Sequence, residues 1–320
     1  MKLTAEQIQA VTVGALRINA DDDGIHFHKC TEAQEAAWLA LDNVLGQRAL
    51  TTTGIRLDFH TDAKSLTLTV GAAGGYDLLI NGLLRTRLTA SEAGESFTVA
   101  LCDPLGDPLK GEARVTICLP SHSVGVLREI TLEGGEQIRP HAFDRKLLFL
   151  GDSITQGWET SCDSLSFAYR VSAFLNADSV IQGIGGAYYH ESTLDAMPYD
   201  PDLILVAYGT NDFGHYKTID EFRAHVSAFL DRLISIYPNK QIVVLSPIWR
   251  DRRDGRKMGS FADCRAVVAA EALNRNLTHI DGLTLVPPLP AFFSDGYLHP
   301  NDAGFSLFAQ NLVAALSEIM

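Results

Sequence analysis

The sequence predicts an all-β sandwich domain followed by an α/β domain, whose parallel sheet carries helices on both faces. Up to residue 143, short segments of alternating or β-branched residues are separated by Gly, Asp and Ser, as is typical of a β-sandwich. Beyond it, apolar strand segments alternate with helical stretches, which indicates a parallel sheet. The pattern changes within Glu136–Arg145, so the predicted domains are 1–143 and 144–320. A chain of 320 residues is long enough for both.

The N-terminal domain is predicted mainly from its strands. The pair Asn81-Gly82 between two of them favours a type I′ hairpin turn. Two stretches near the start, TAEQIQAV and TEAQEAAWLALDNVL, have helical character. The predicted strands are GIRLDFH, SLTLTV, YDLLING, SFTVAL, ARVTICL and VGVLREITLE.

The α/β domain begins with a strand that runs into Gly151-Asp152-Ser153. Ligands of open α/β sheets bind at the carboxyl ends of the strands, so Ser153 is predicted to lie at the ligand-binding edge. The alternative role for this serine is a plain helix N-cap. The predicted strands are LLFL, SVIQ, LILVAYG, QIVVLSP and LTLV, and the predicted helices are LSFAYRVSAFL, IDEFRAHVSAFLDRLISIY, FADCRAVVAAEALNRNL and AGFSLFAQNLVAALSEI.

Composition excludes several classes of function. The formal net charge of −13 disfavours binding to nucleic acid or to an anionic membrane surface. No apolar run approaches the ~18 residues of a membrane span, and the N-terminus lacks the features of a signal peptide. The five cysteines have no CxxC spacing, so free thiols in a reducing compartment are expected. These features predict a cytoplasmic protein.

A nucleophilic role for Ser153 requires a base and donors for an oxyanion, because a serine hydroxyl is a weak nucleophile at neutral pH. His299 is the candidate base, since it lies between the last strand and the last helix at the same sheet edge. The alternative for it is a histidine in a capping turn. Asn211 follows a central strand, and its amide can donate to the site. The glycines of VIQGIGGAYY suit backbone N–H groups close to a ligand. The GxGxxG, P-loop and GxSxG patterns are absent from the sequence.

Four ordered blocks, GDSITQG, QGIGG, GTND and HPND, resemble those of the SGNH (GDSL) hydrolases. The segment GGYDLLINGLLRTRL is similar to part of the β-sandwich, a jelly-roll-like module, that precedes some bacterial members. The resemblance implies a flavodoxin-like domain, with Ser153 as nucleophile and His299 as general base. It also implies an oxyanion hole made by the N–H groups of Ser153 and Gly186 and by Asn211.

The acid of the catalytic group departs from the family pattern. The family spaces acid and histidine as Asp-x-x-His, whereas Asp295 and His299 are one residue further apart. Gly296 could absorb the extra residue as a bulge and leave Asp295 at Nδ1 of His299. In the alternative, the acid is displaced and a backbone carbonyl orients the imidazole. Asp295 is our predicted third catalytic residue.

Three further residues are candidates for substrate binding. Trp158 and Tyr188 suit the faces of a sugar, with packing between loops as the alternative. Arg250 belongs to the charged segment PIWRDRRDGRKMG, which follows the fourth strand and suits an anionic or hydroxyl-rich ligand. A solvated loop or a subunit contact is the alternative, which leaves a homo-oligomer open. The segment HFHKC has three potential metal ligands, but no second cluster completes a site and a half-buried strand is favoured.

The resemblance implies a serine esterase that acts without a metal or an organic cofactor. Its expected partner is a small-molecule ester with a short acyl chain, namely an acetylated carbohydrate. Two alternatives stay open. One is an acyltransferase that uses the same serine, and the other is a carbohydrate-binding protein with an inert hydrolase domain.

Overall fold

The computed structural model describes residues 1–253 and 256–319. Within them the strands form two antiparallel sheets and one parallel sheet. The first sheet has the order β1 (Thr12–Val13), β4 (Arg56–Thr61), β9 (Ala113–Cys118), β6 (Gly74–Ile80) and β7 (Leu83–Ala90), with β11 (Ile138–Pro140) also paired to β4. The second has the order β2 (Arg17–Asp21), β3 (Gly24–His28), β10 (Val126–Glu133), β5 (Ser65–Val70) and β8 (Ser96–Ala100).

The two antiparallel sheets enclose one apolar core. Leu57 and Phe59 from the first sheet are buried together with Leu66 and Leu68 from the second. Their spacing of two residues follows the side-chain alternation of a strand. β6 and β7 are joined by the predicted hairpin turn, in which Asn81 has φ 51° and Gly82 has φ 79°. Positive φ at both central residues is the type I′ geometry.

The parallel sheet has the order β13 (Ala177–Gly183), β12 (Arg145–Gly151), β14 (Leu203–Ala207), β15 (Gln241–Leu245) and β16 (Thr278–Ile280). When these five strands are numbered from the first in the chain, their order in the sheet is 2-1-3-4-5, as in flavodoxin-like folds. The predicted fold class is therefore confirmed. The chain reverses its direction of winding between β13 and β14, so the crevice expected of such sheets opens at the carboxyl end of β12.

Helices cover both faces of the parallel sheet. Leu147 and Phe149 of β12 point to α5 (Phe167–Phe174) and α9 (Asp302–Ser317). The intervening Leu148 and Leu150 face the opposite layer, which includes α7 (Ile219–Ile236) and α8 (Phe261–Leu273). The remaining α-helices in the described residues are α1 (Ala5–Ala10), α2 (Glu32–Leu41), α3 (Asn43–Ala49), α4 (Ser153–Gln156) and α6 (Asp212–His215). None of the helices in these residues combines the length and apolarity needed to cross a membrane.

The stretch predicted as one N-terminal helix forms two, α2 and α3. Asp42 has an extended backbone, and its carboxylate accepts the N–H groups of Val44 and Leu45. It therefore ends one helix and caps the next. Trp38 and Leu45 pack in the same apolar core as residues of the parallel-sheet layer. The boundary between residues 143 and 144 stays a prediction.

The last strand differs from the prediction. Leu283–Val286 was expected to form it, but Thr278–Ile280 pairs with β15 instead. Asp281 accepts the N–H of Leu283 and starts a 3-10 turn at Gly282–Thr284. A Cβ atom on Gly282 would lie 2.0 Å from the carbonyl oxygen of Ser246. The backbones of these two segments can therefore approach this closely only because residue 282 is glycine. All five cysteines are unpaired, and the cellular compartment stays a prediction.

Candidate active site

Ser153 lies directly after β12, at the first position of the one-turn helix α4. Asp152 caps this helix by accepting the N–H of Ile154 at 2.9 Å. Gly157 ends it with a left-handed backbone of φ 84°. A Cβ atom on Gly151 would lie 2.0 Å from Oγ1 of Thr155, so the strand can meet the helix this closely because residue 151 is glycine. Since the first N–H groups of a helix lack intrahelical partners, the N–H of Ser153 is available to a ligand.

The side chains of Ser153, His299 and Asp295 form one hydrogen-bonded chain. Ser153 Oγ lies 2.9 Å from His299 Nε2, and His299 Nδ1 lies 2.8 Å from Asp295 Oδ2. A carboxylate is an acceptor, so Nδ1 carries the imidazole hydrogen and Nε2 is free to accept the serine proton. Gly296 has φ 73°, and this left-handed turn accommodates the extra residue between acid and histidine.

Asp295 is held as an ionised carboxylate by the same turn. Burial alone would raise the pKa of this carboxyl, but hydrogen bonds from the backbone N–H groups of Tyr297 and Leu298 and from His299 outweigh burial. The pKa of Asp295 is therefore lowered from its ordinary value. A negative charge at Nδ1 favours the protonated imidazole that forms when a base takes a proton.

Two candidate oxyanion donors lie along one wall of a cleft. Gly186 follows β13 with φ 85°, and Asn211 immediately precedes α6. One N–H of the Asn211 amide donates to the carbonyl oxygen of Ala187 at 2.9 Å. This bond orients the amide and leaves its second hydrogen for a ligand. The volume of the cleft is about 430 Å³.

The N-terminal part of the chain supplies Arg48 to this cleft, and no sequence signal had indicated it. Arg48 Nη1 donates to the carbonyl oxygen of Gly185 at 2.7 Å, and its guanidinium lies 5.3 Å from the ring centre of Trp158. The buried Lys29 anchors the end of α3, because its Nζ donates to the carbonyl oxygens of Arg48 at 3.0 Å and Thr51 at 2.6 Å. Burial lowers the pKa of Lys29 to about 8.

Trp158 lies beside the imidazole of His299 and is half-buried. Its ring centre is 6.4 Å from that of His299 and 4.9 Å from that of His122, which meets it edge-on. His122 comes from the loop between β9 and β10. Burial, reinforced by the charges of Arg87 and Lys29, lowers the pKa of His122 to about 4, so its imidazole is neutral near pH 7. The sandwich thus contacts the site through a second residue that the sequence had not indicated.

Tyr188 lines the cleft, where its ring stacks on that of His215 with a centre-to-centre distance of 3.8 Å. The ring borders the cleft and also packs between loops, and its role in substrate binding stays a prediction. Another wall of the cleft is apolar and is formed by Leu41, Val44 and Leu45 of the N-terminal helices. The sequence had suggested no apolar surface near the nucleophile.

Arg250, a candidate for substrate binding, is not among the residues that line the cleft. The residue is 7% exposed, and its Nη1 donates to the carbonyl oxygen of Thr210 at 2.8 Å. The guanidinium also lies over the rings of Phe213 and Phe261. The carbonyl oxygen of Thr210 and the two rings thus stabilise the guanidinium inside the protein, and the bond to Thr210 supports the turn that carries Asn211. Asp254 and Gly255 of the same segment lie outside the described residues.

The histidines of HFHKC are held by other partners. His26 Nε2 lies 2.9 Å from Asp21, and His28 bonds to Glu35 and Asn19, each at 2.9 Å. Within residues 1–253 and 256–319, one group of His, Cys, Asp or Glu side chains has the spacing of a metal site, and it consists of His190, Glu191 and His225.

Part of the chain matches a known protein family. Residues 149–307 match the model of the GDSL-like lipase/acylhydrolase family, which confirms the resemblance stated from the sequence. No curated protein sequence matches the chain significantly.

Three solved structures share the fold. A salicylyl-acyltransferase, SsfX3, from a tetracycline biosynthetic pathway superposes with a TM-score of 0.78 and 21% identity over 96% of this chain and 94% of that one. A family two carbohydrate esterase from Cellvibrio japonicus gives 0.69 and 18% over 100% and 97%. A family two carbohydrate esterase from Clostridium thermocellum, in complex with cellohexaose, gives 0.66 and 17% over 96% and 98%. At these identities the likeness shows a common fold that includes the N-terminal sandwich.

Proposed function

We propose that this chain, whose residues 149–307 match the GDSL-like lipase/acylhydrolase family, hydrolyses short-chain esters through an acyl-enzyme on Ser153. The observation that carries this proposal is the continuous relay from Ser153 Oγ to His299 and on to Asp295, with distances of 2.9 and 2.8 Å. A base within hydrogen-bond reach of the nucleophile, itself oriented by a third group, is what serine acylation requires.

The first half of the reaction acylates the enzyme. His299 Nε2 takes the proton of Ser153 while Oγ attacks the ester carbonyl carbon. The negative charge that develops on the carbonyl oxygen is stabilised by the N–H groups of Ser153 and Gly186 and by the amide of Asn211. The tetrahedral intermediate collapses, the C–O bond to the alcohol breaks, and the imidazolium protonates the departing alcohol.

The second half releases the acid. Water enters the site vacated by the alcohol, and His299 accepts its proton as the oxygen attacks the acyl carbon. The same donors stabilise the second oxyanion, and Ser153 recovers its proton when the acid departs. Asp295 remains ionised throughout and stabilises the imidazolium at Nδ1.

We infer that the ester is an acetylated carbohydrate. Trp158 and Tyr188 offer rings beside the site, and the polar ends of Arg48, Asp42 and His215 lie within or next to the same cleft. Rings for sugar faces and polar groups for hydroxyls form a common combination in small-molecule sites. Two of the structurally similar proteins are carbohydrate esterases, which supports this substrate class.

The experiment is a pre-steady-state measurement with p-nitrophenyl acetate. We expect a burst of p-nitrophenol close to one equivalent per enzyme, with the acetyl group recovered on the peptide that contains Ser153. Wild-type protein that shows neither turnover nor burst would instead favour the inert carbohydrate-binding protein. A panel of acetylated glycosides then identifies the sugar.

An acyltransferase is the second candidate, favoured by the similarity of the fold to SsfX3 over 96% of the chain. The acyl-enzyme would be the same, but an acceptor alcohol would replace water. Adding alcohols and sugars to the p-nitrophenyl acetate reaction separates the two functions. Free acetate as the main product supports the esterase, whereas a new ester formed at the expense of acetate supports the transferase.

We also propose that the N-terminal sandwich and the helices inserted in it form part of the working site. Arg48 and His122, which come from residues 1–143, contact Gly185 and Trp158 respectively. Inter-domain clefts are common ligand sites. The division at residues 143 and 144 would then separate two folding patterns that share one active site.

A further inference from the structure

His190, Glu191 and His225 converge beside the cleft, although nothing in the proposed ester chemistry uses them. His190 and Glu191 lie at the start of the 3-10 turn Glu191–Thr193, and His225 lies on α7. Each offers one ligand atom, and these three atoms lie within 4.8 Å of one another. All three side chains are half-buried. Two imidazoles and one carboxylate form a ligand set typical of zinc and other divalent transition metals.

The separations within this group fit a common ion. His225 Nδ1 lies 3.4 Å from Glu191 Oε2, longer than the ~2.7–2.9 Å of a charge-assisted hydrogen bond. A tetrahedral ion with ligands at ~2.1 Å separates its ligand atoms by roughly 3.4 Å. The ring centres of His190 and His225 are 5.2 Å apart, and two imidazoles on one such ion place their centres about 5 Å apart.

The surroundings orient both imidazoles. Ser192 holds the His190 ring at Nδ1, which accepts the Ser192 N–H at 3.4 Å and lies 2.8 Å from Ser192 Oγ, so Nε2 is the ring nitrogen that makes no bond to Ser192. A partner at the second ring nitrogen commonly orients the ring of a metal-binding histidine. The ring of Tyr216 stacks on that of His225 at 4.8 Å.

We propose that His190, Glu191 and His225 bind one divalent transition metal ion, for which Zn²⁺ is the probe, with water in the fourth position. The ion would link the segment after Gly186 to helix α7. Hydrogen bonds already join this segment to the residues that follow Asn211. Asp212 accepts the N–H of Tyr189 at 2.9 Å, and Tyr216 donates to the carbonyl oxygen of Tyr189 at 2.5 Å. The role that follows is stabilisation of the loop that presents Gly186.

The test is titration of the metal-free full-length protein with Zn²⁺ by calorimetry, paired with thermal unfolding. We expect one ion per chain and a rise in Tm with Zn²⁺. Loss of a partner outside the ligand shell already costs about 10–100-fold in metal affinity. His190→Ala and His225→Ala, which each remove a ligand, are therefore expected to weaken binding by at least ~100-fold and to abolish the Tm rise.

The matched control is the double variant His26→Ala, His28→Ala, which removes two histidines elsewhere and should bind Zn²⁺ like the wild type. Absence of binding by the wild type, or undiminished binding by both single variants, would overturn the proposal. Loss of binding in the control would also overturn it, because the ion would then lie at HFHKC. Should His225→Ala fail to fold, Glu191→Gln, a change at a side chain that is 40% exposed, provides the same test. Ester hydrolysis is not the readout, so this result is independent of the proposed function.

Discussion

Arg48 Nη1 donates to the carbonyl oxygen of Gly185 at 2.7 Å, and this carbonyl belongs to the same peptide group as the N–H of Gly186. In a trans peptide the C=O and N–H bonds point in opposite directions. A guanidinium that fixes the carbonyl on one side therefore fixes the direction of the N–H on the other. A hydrogen bond to the carbonyl also polarises the peptide and strengthens its N–H as a donor. A residue of the N-terminal part thus orients a proposed donor of the oxyanion hole.

Replacing Arg48 with Ala is expected to lower kcat for p-nitrophenyl acetate by roughly tenfold or more. The loss should be smaller than the ~10²–10³ of a deleted oxyanion donor, because the Gly186 N–H remains but is less well oriented. Arg139→Ala, which removes an exposed arginine paired with Glu112 at 2.8 Å, is the control and should retain its kcat. An unchanged kcat in Arg48→Ala would show that the peptide holds its orientation without the guanidinium.

Ser153→Ala and His299→Ala are each expected to remove nearly all activity, with kcat lower by ~10⁴ or more. Asn211→Ala should lower kcat by on the order of 10²–10³, as one lost oxyanion donor. Initial rates on p-nitrophenyl acetate and on an acetylated sugar measure these effects. Ser317→Ala, at the exposed end of α9, serves as the control. The assignment of the base fails if His299→Ala turns over at close to the wild-type rate.

Trp158→Ala is expected to reduce kcat/KM for an acetylated sugar more than for p-nitrophenyl acetate. The ring lies beside that of His299, and the Arg48 guanidinium lies over it. We expect the ring to pack against the face of a sugar, whereas p-nitrophenol, the leaving group of the simple ester, does not depend on that contact. Trp158→Phe should recover part of the loss because it retains a ring. Equal losses on both substrates would instead indicate that Trp158 acts by packing against the imidazole.

Activity should fall steeply from acetyl to octanoyl p-nitrophenyl esters, measured as kcat/KM. A long acyl chain gains ~0.8 kcal/mol for each buried CH₂ only where an apolar groove receives it. The cleft here has a volume of about 430 Å³ and mixes Arg48 and His215 with one apolar wall. A preference for octanoyl would point to that wall as an acyl site. Val44→Asp, which places a charge on it, should then abolish the preference.

The free energy of unfolding should depend on pH because the carboxyl group of Asp212 is buried. Burial raises the pKa of this carboxyl from 3.8 to about 7, despite the N–H that Tyr189 donates to it. An acid whose pKa is raised on folding stabilises the fold at low pH, and this contribution is lost as the pH rises through the folded value.

Asp212→Asn removes that titration. The free energy of unfolding of the variant, relative to wild type, is therefore expected to increase as the pH rises from about 4 to about 8. Chemical denaturation at several pH values measures it. Asp200→Asn, at a side chain that is 80% exposed, should show no comparable trend. A difference between Asp212→Asn and wild type that does not change with pH would contradict the prediction.

Much of the site was predictable because local chemistry specifies it. A strand that ends in Gly-Asp-Ser, a central strand that ends in Gly-Thr-Asn-Asp and a late His-Pro turn can be read from neighbouring residues alone. Parallel strands bring their carboxyl ends to one edge, so Ser153, Asn211 and His299 were expected to meet. The left-handed Gly296 was also a local inference, because glycine adopts positive φ without the steric cost of a Cβ atom.

The parts contributed by distant segments were not predictable. No local pattern distinguishes Arg48, His122 or the apolar wall of α2 and α3 from ordinary surface residues. The charged segment around Arg250 suggested a ligand contact, but Arg250 is buried away from the cleft. Which of them meet the cleft depends on how the sandwich and its helices pack against the parallel sheet, over sequence separations such as the 137 residues between Arg48 and Gly185. The sequence by itself thus determined the two folding patterns and the candidate catalytic residues. The tertiary structure alone decided what surrounds them, because side chains buried between distant segments are selected by packing and charge rather than by their neighbours in the chain.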